Sequence, residues 1–174
     1  ALAALTLGQV VGIRLDAMLE TLQQFKGLPH RTEWIAEEQG IRWINDSKGT
    51  NLGATLAAIE GLSEAEQGKV VLIAGGQGKG ADFSPLYPVA ERQLRAAVLM
   101  GEDAALLEEV LPETVARQSV ESMQAAVSAA AHLAEAGDTI LLSPACASFD
   151  QYSGFEVRGD SFRQAVTQLL EQQT

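Results

Sequence analysis

Apolar residues fall along this chain in short continuous runs separated by amphipathic stretches, the pattern of β and α elements taken in turn. Runs at Val70–Ala74, Ala97–Met100 and Thr139–Leu142 have the length of strands buried on both faces, with a weaker one near Val115. Between and after them, helical spacing predicts Leu52–Leu62, Leu86–Leu94, Ala104–Val110, Met123–Ala134 and Asp160–Leu170. Thr32–Glu37 and Ile41–Asn45 flank Gln39-Gly40 as two extended runs and predict a hairpin. Ahead of it, residues 1–27 read as two short helices; a stripe of Met18, Leu19, Leu22 and Phe25 stops at Gly27 and Pro29. Strands alternating with helices predict an α/β fold: a mostly parallel sheet with helices on both faces.

A length of 174 residues suits one domain with a short appendage. The formal charge of -11 would repel nucleic acid phosphates and anionic lipid, so no nucleic acid or membrane partner is expected. A single cysteine, Cys146, excludes an intrachain disulfide and a cysteine-rich zinc site, and points to a reducing, cytoplasmic setting. The start is crowded with Leu2, Leu5, Leu7, Val10 and Val11 and has no initiator methionine, which reads as the tail of an upstream domain.

Three small-residue polar loops each follow an apolar run: Asp46–Asn51, Gly75–Phe83 and Ser143–Asp150. Loops at the carboxyl ends of neighbouring strands in an open α/β sheet converge on one crevice, so a composite site is expected. In the first loop, Lys48, Thr50 and the start of a helix suit an anion, with Asp46 on a hydroxyl; helix capping by Thr50 or Asn51 is the alternative. The second loop formally carries Gly76-x-Gly78-x-x-Ala81, with Glu102 or Asp103 about twenty residues on, as in a dinucleotide fingerprint. Ser84-Pro85, however, places the helix start beyond the glycines, so the loop reads as an anion nest carrying Lys79, or as an exposed turn. In the third, small residues let a ligand approach Ser148, while Cys146 reads as a buried hydrophobe. Phe149, Tyr152 and Phe155 are core or a ligand wall; His132 is surface or filler, and His30 with Arg31 sits at a domain junction.

Gly27–Arg31, Trp43–Asn51, Gly75–Phe83 and Leu142–Gln151, in this order, resemble the C-terminal region of the Mur ligases over nearly the whole chain. The resemblance implies residues 1–27 as the helical tail of a central ATPase domain and 28–174 as a Rossmann-like amino-acid-binding domain. It implies an ATP-dependent ligase of peptidoglycan synthesis that joins D-glutamate to UDP-N-acetylmuramoyl-L-alanine. The P-loop, the Mg2+ ligands and the UDP-binding domain would then lie in domains outside this chain. Carried over by position, Arg31 and Asp46 contact ATP, Lys48 lies near the phosphates and the reacting centre, and Thr50, Lys79, Ser148, Phe149 and Phe155 form the D-glutamate pocket. Phe149 stands where the family has leucine, which implies a backbone contact there. No metal site is expected in the chain. Two rival readings are another amino-acid ligase of this family and a non-catalytic nucleotide-binding module.

Overall fold

The computed structural model describes residues 2–25, 27–63 and 68–172. Helices α1 (Leu2–Val10) and α2 (Leu15–Gln24) come first, followed by strands β1 (Glu33–Glu38) and β2 (Ile41–Asn45). The rest alternates: α3 (Leu52–Ser63), β3 (Val70–Gly75), α4 (Leu86–Gln93), β4 (Leu94–Met100), α5 (Ala104–Glu109), β5 (Ala116–Ser119), α6 (Met123–Leu133), β6 (Thr139–Leu142) and α7 (Phe155–Glu171).

One six-stranded sheet runs in the order β1-β2-β6-β3-β4-β5. Only β1 is antiparallel, hairpinned to β2 as the Gln39-Gly40 turn predicts. The alternation of the pleat sorts the core. Val70, Leu72 and Ala74 pack toward α3, α4 and α5 on one face, and Val71 and Ile73 pack toward α6 and α7 on the other. Both faces are covered, so β3 is buried along its whole length and reads as a continuous apolar run.

The consequential feature is the return of β6 from the β5 edge to a slot between β2 and β3. Its Leu142 stands in register with Asn45 of β2 on one side and Ile73 of β3 on the other. The loops that leave β2, β6 and β3 are therefore adjacent at one end of the sheet.

Three boundaries differ from the sequence reading. Strand β4 begins at Leu94, directly after α4, because Leu94 is buried in the core and pairs with Val70. Helix α7 begins at Phe155, a turn and more before Asp160, from an N-cap Gly154 that makes no side-chain capping bond and so leaves no sequence signature. The weak strand lies at Ala116–Ser119 as an exposed edge, which explains its faint apolar signal.

Helices α1 and α2 pack on each other where Met18 meets Gly8, and enclose an apolar cleft of about 250 Å³. Leu2, Leu7, Val10, Val11 and Phe25 remain exposed around it.

Candidate functional site

The loop after β2 turns back on itself at once: Gly49 N donates to Asp46 O and Thr50 N donates to Lys48 O. Asn51, rather than Thr50, caps α3 by accepting from Ala54 N at 3.0 Å. That leaves the Thr50 hydroxyl without a hydrogen bond among the described residues. The Asp46 carboxylate is held on both oxygens, accepting from Thr32 N at 3.1 Å and from the buried Ser143 hydroxyl at 2.8 Å. Burial pushes this carboxyl above its ordinary range, and the bonds from Ser143 and Thr32 and the Arg31 charge offset only part of that. Arg31, Asp46 and Lys48 line one open cleft of about 330 Å³, closed on the far side by Ala54, Ala57 and Ala58 of α3.

The glycine-rich loop after β3 does not open a helix. It pairs with the loop after β6 instead: Gln77 N donates to Ala147 O and Ala147 N to Gln77 O, both at 2.9 Å. Two further amides are bonded inside the fold, Gly78 N donating to the Asp103 carboxylate at 2.6 Å and Ala81 N to Gly78 O at 3.1 Å. Of the two acids at fingerprint spacing, Asp103 is thus consumed by the loop itself, and Glu102 accepts from the Gln77 side chain at 2.9 Å. The helix starts only at Leu86, after an Asx turn in which Asp82 accepts from both Ser84 N and the Ser84 hydroxyl. At the loop tip Lys79 adopts a left-handed backbone (φ 55°) and its side chain stands exposed.

In the loop after β6, Ser148 is buried while its neighbour Phe149 is 64% exposed. Each of the two lysines rests on an aromatic face: Lys48 Nζ lies 4.1 Å from the Phe155 ring centroid and Lys79 Nζ 5.8 Å from that of Phe149. Among the described residues neither lysine pairs with a carboxylate, and the Ser148 hydroxyl makes no hydrogen bond. Two ammonium groups and the Thr50 and Ser148 hydroxyls are therefore unspent donors on three adjoining loops, the donor set that an anion with more than one carboxylate or phosphate requires. Phe149 and Phe155 are the two aromatics that these lysines rest on. Tyr152 packs on the core of the α6–α7 face. Cys146 is fully buried, and burial pushes its thiol up to about 12, the setting of a buried hydrophobe rather than of an activated thiolate. His132 lies on the surface of α6. Among the described residues no three His, Cys, Asp or Glu side chains gather as a metal site, and no helix is long and apolar enough to cross a membrane.

This arrangement has relatives. Residues 30–146 match the family described as "Mur ligase, glutamate ligase domain". The chain belongs to the Mur ligase family. It is 60% identical over 170 residues to a UDP-N-acetylmuramoylalanine--D-glutamate ligase of Nitrosococcus oceani, covering 98% of this chain and 37% of that relative. The fold is shared with UDP-N-acetylmuramate-alanine ligase MurC of Thermotoga maritima (TM-score 0.68, 15% identity, 96% of this chain and 36% of that one). It is shared equally with the MurF ligase of the same organism, solved in complex with ADP (TM-score 0.66, 16% identity, 99% and 38%).

Two features of this Mur ligase domain escaped the sequence reading. His30, read from sequence only as a residue of the domain junction, is buried: its Nδ1 lies 3.0 Å from Asn45 Nδ2, its amide donates to Glu33, and Glu33 is clamped by Arg163 of α7. The close approach requires Gly159, where any Cβ would run into the His30 ring. Arg158, the preceding residue, is buried beneath all three loops. It lies in the polar stretch Glu156-Val157-Arg158-Gly159-Asp160, where nothing in the pattern marks a buried cation.

Proposed function

We propose that this chain is the C-terminal part of an ATP-dependent ligase that adds D-glutamate to UDP-N-acetylmuramoyl-L-alanine in cytoplasmic peptidoglycan synthesis. The observation that carries the reading is the 60% identity, over 98% of the chain, to a relative of that name. The site agrees in chemistry. D-Glutamate has two carboxylates, and Lys79, Thr50 and Ser148 are unspent donors beside the walls made by Phe149 and Phe155. The cleft of Arg31, Asp46 and Lys48 fits a nucleotide, with cations for its phosphates and a carboxylate for its hydroxyls.

In this reading ATP phosphorylates the carboxylate of the muramoyl-alanine substrate and releases ADP. The neutral amine of D-glutamate then attacks the acyl phosphate carbon. A C–N bond forms, inorganic phosphate leaves, and the amine gives up its proton. Lys48 stabilises the negative charge on the transferring phosphate, and Lys79 and Ser148 hold the amino acid so that its amine faces the carbonyl. The chain spans 37% of the length of that relative; in this reading the UDP-binding domain, P-loop and Mg2+ ligands lie in sequence outside it. Residues 1–27 are the tail of the central ATPase domain, their exposed apolar side chains facing it. Residues 28–174 form the amino-acid domain, which closes on the rest about the 27–31 linker. The chain alone is inactive.

The test is ADP release by the full-length protein with UDP-N-acetylmuramoyl-L-alanine and, in parallel, D-glutamate, L-lysine or meso-diaminopimelate. D-Glutamate alone should support turnover. Lys79→Ala should raise its KM about 10- to 100-fold, the value of a charge-assisted hydrogen bond. Equal turnover with L-lysine would refute the assignment.

A further inference from the structure

Arg158 sits one turn inside α7 and is only 3% exposed. Its planar fork is fully used. Nε donates to the Ser47 hydroxyl at 3.0 Å and Nη2 to Ser47 O at 2.9 Å, on the first loop. Both Nη1 and Nη2 donate to Cys146 O, at 3.2 and 3.1 Å, on the third. Nη1 also reaches Gly75 O at 3.4 Å, where the second loop leaves β3. Every acceptor is neutral. Asp150 acts on the guanidinium through its charge without bonding it, so a costly buried cation is held here by several neutral acceptors matched to its planar fork.

We propose that Arg158 is a positioning residue for the ligand site: it ties the three loops together from below and sets the spacing between Lys48 at the transferring phosphate and Lys79 and Ser148 on the anionic amino acid. Each acceptor stands close in sequence to one of those donors. Ser47 precedes Lys48, Cys146 lies two residues before Ser148, and Gly75 opens the loop that carries Lys79. The Ser47 hydroxyl relays the effect a second way, because it accepts from Arg158 Nε and donates to Phe155 O at 2.8 Å, and Phe155 is the shelf under Lys48. The space beside Arg158, lined with Gly76, Ser148 and Tyr152, measures about 10 Å³. That is room for one water at most, so the guanidinium acts through the loops rather than on the substrate. Burial pulls the guanidinium down to about 10, which leaves it charged at neutral pH.

The inference rests on the proposed ligase reading, and the experiment separates the two. Full-length wild type, Arg158→Lys, Arg158→Gln and Ser47→Ala are compared by melting temperature and by KM for D-glutamate and for ATP. Lysine keeps the charge and loses the fork. We expect Arg158→Lys to raise KM for D-glutamate about tenfold, with KM for ATP within about threefold of wild type. Arg158→Gln should raise it further and Ser47→Ala less. If Arg158→Gln does not fold, Arg158→Lys and Ser47→Ala decide. A folded Arg158→Lys with KM for D-glutamate and kcat both unchanged, or one that loses only melting temperature, overturns the role. Wild type without D-glutamate-dependent turnover overturns the ligase reading itself, and this inference with it.

Discussion

Replacing Gly76 with alanine should separate the two loops that carry Lys79 and Ser148. Gly76 has φ 123°, a region that only glycine occupies at low cost, and a Cβ there would sit inside contact distance of Ala147 O and 3.3 Å from the Cys146 Cβ. The strained backbone costs about 1–3 kcal/mol. Ala147 must also retreat, which breaks the paired bonds between Gln77 and Ala147, each worth about 0.5–1.5 kcal/mol net. Together these amount to about 2–6 kcal/mol, a large part of the ~5–15 kcal/mol that holds a domain folded. Urea unfolding of the 174-residue chain reports it through the buried Trp43, with Trp34 exposed in both states. Gly80→Ala is the control: its φ is 74° but a Cβ there meets nothing within 4 Å, so it should lose only about 1–2 kcal/mol of conformational preference. A Gly76→Ala chain no less stable than Gly80→Ala would refute the claim that the bridge between the loops depends on a missing Cβ.

Asp46→Asn should leave stability at pH 7 equal to or above wild type, because burial holds the native carboxyl above its unfolded value and its ionisation costs stability until the pH falls through the folded pKa. The same change should lower full-length ligase turnover about tenfold, measured as ADP release. Asp138, 1% exposed, accepts from Lys69 N, Glu135 N and Arg95, so Asp138→Ala should cost about 2–4 kcal/mol in urea unfolding. Burial raises that carboxyl, but Arg95 and the two amides outweigh it and hold it below the ordinary range. Its contribution is therefore present above about pH 4 and lost as pH falls through the folded pKa, and an acid titration of Asp138→Ala should be flatter than wild type there. Cys146 should resist iodoacetamide in the folded chain and react once urea unfolds it, as read by mass spectrometry.

Much of this protein is local and was legible as such. The period of apolar residues placed the strands and most helices, the glycine and proline positions placed the turns, and the three polar loops stood out as site material before any coordinates. Where local chemistry was silent, the reading slipped. The start of α7 has no capping side chain, the β5 edge has no apolar face, and Leu94 belongs to β4 because of a partner strand 24 residues away rather than its neighbours in sequence.

Which loops meet was not a local matter. A strand pattern states that a segment is buried and says nothing of its neighbours in the sheet. The placement of β6 between β2 and β3 comes from long-range pairing of Thr139–Leu142 with both, and it alone brings Asp46–Asn51, Gly75–Phe83 and Ser143–Asp150 together. The same holds for Asp103, one of two acids at fingerprint spacing and a loop anchor by contact, and for Arg158, which no pattern singled out and which packing makes the buried tie beneath the three loops. Sequence alone determined most of the elements and the reactive residue types; tertiary structure decided which donors are already bonded inside the fold and which are left unbonded, because that depends on partners far apart in the chain.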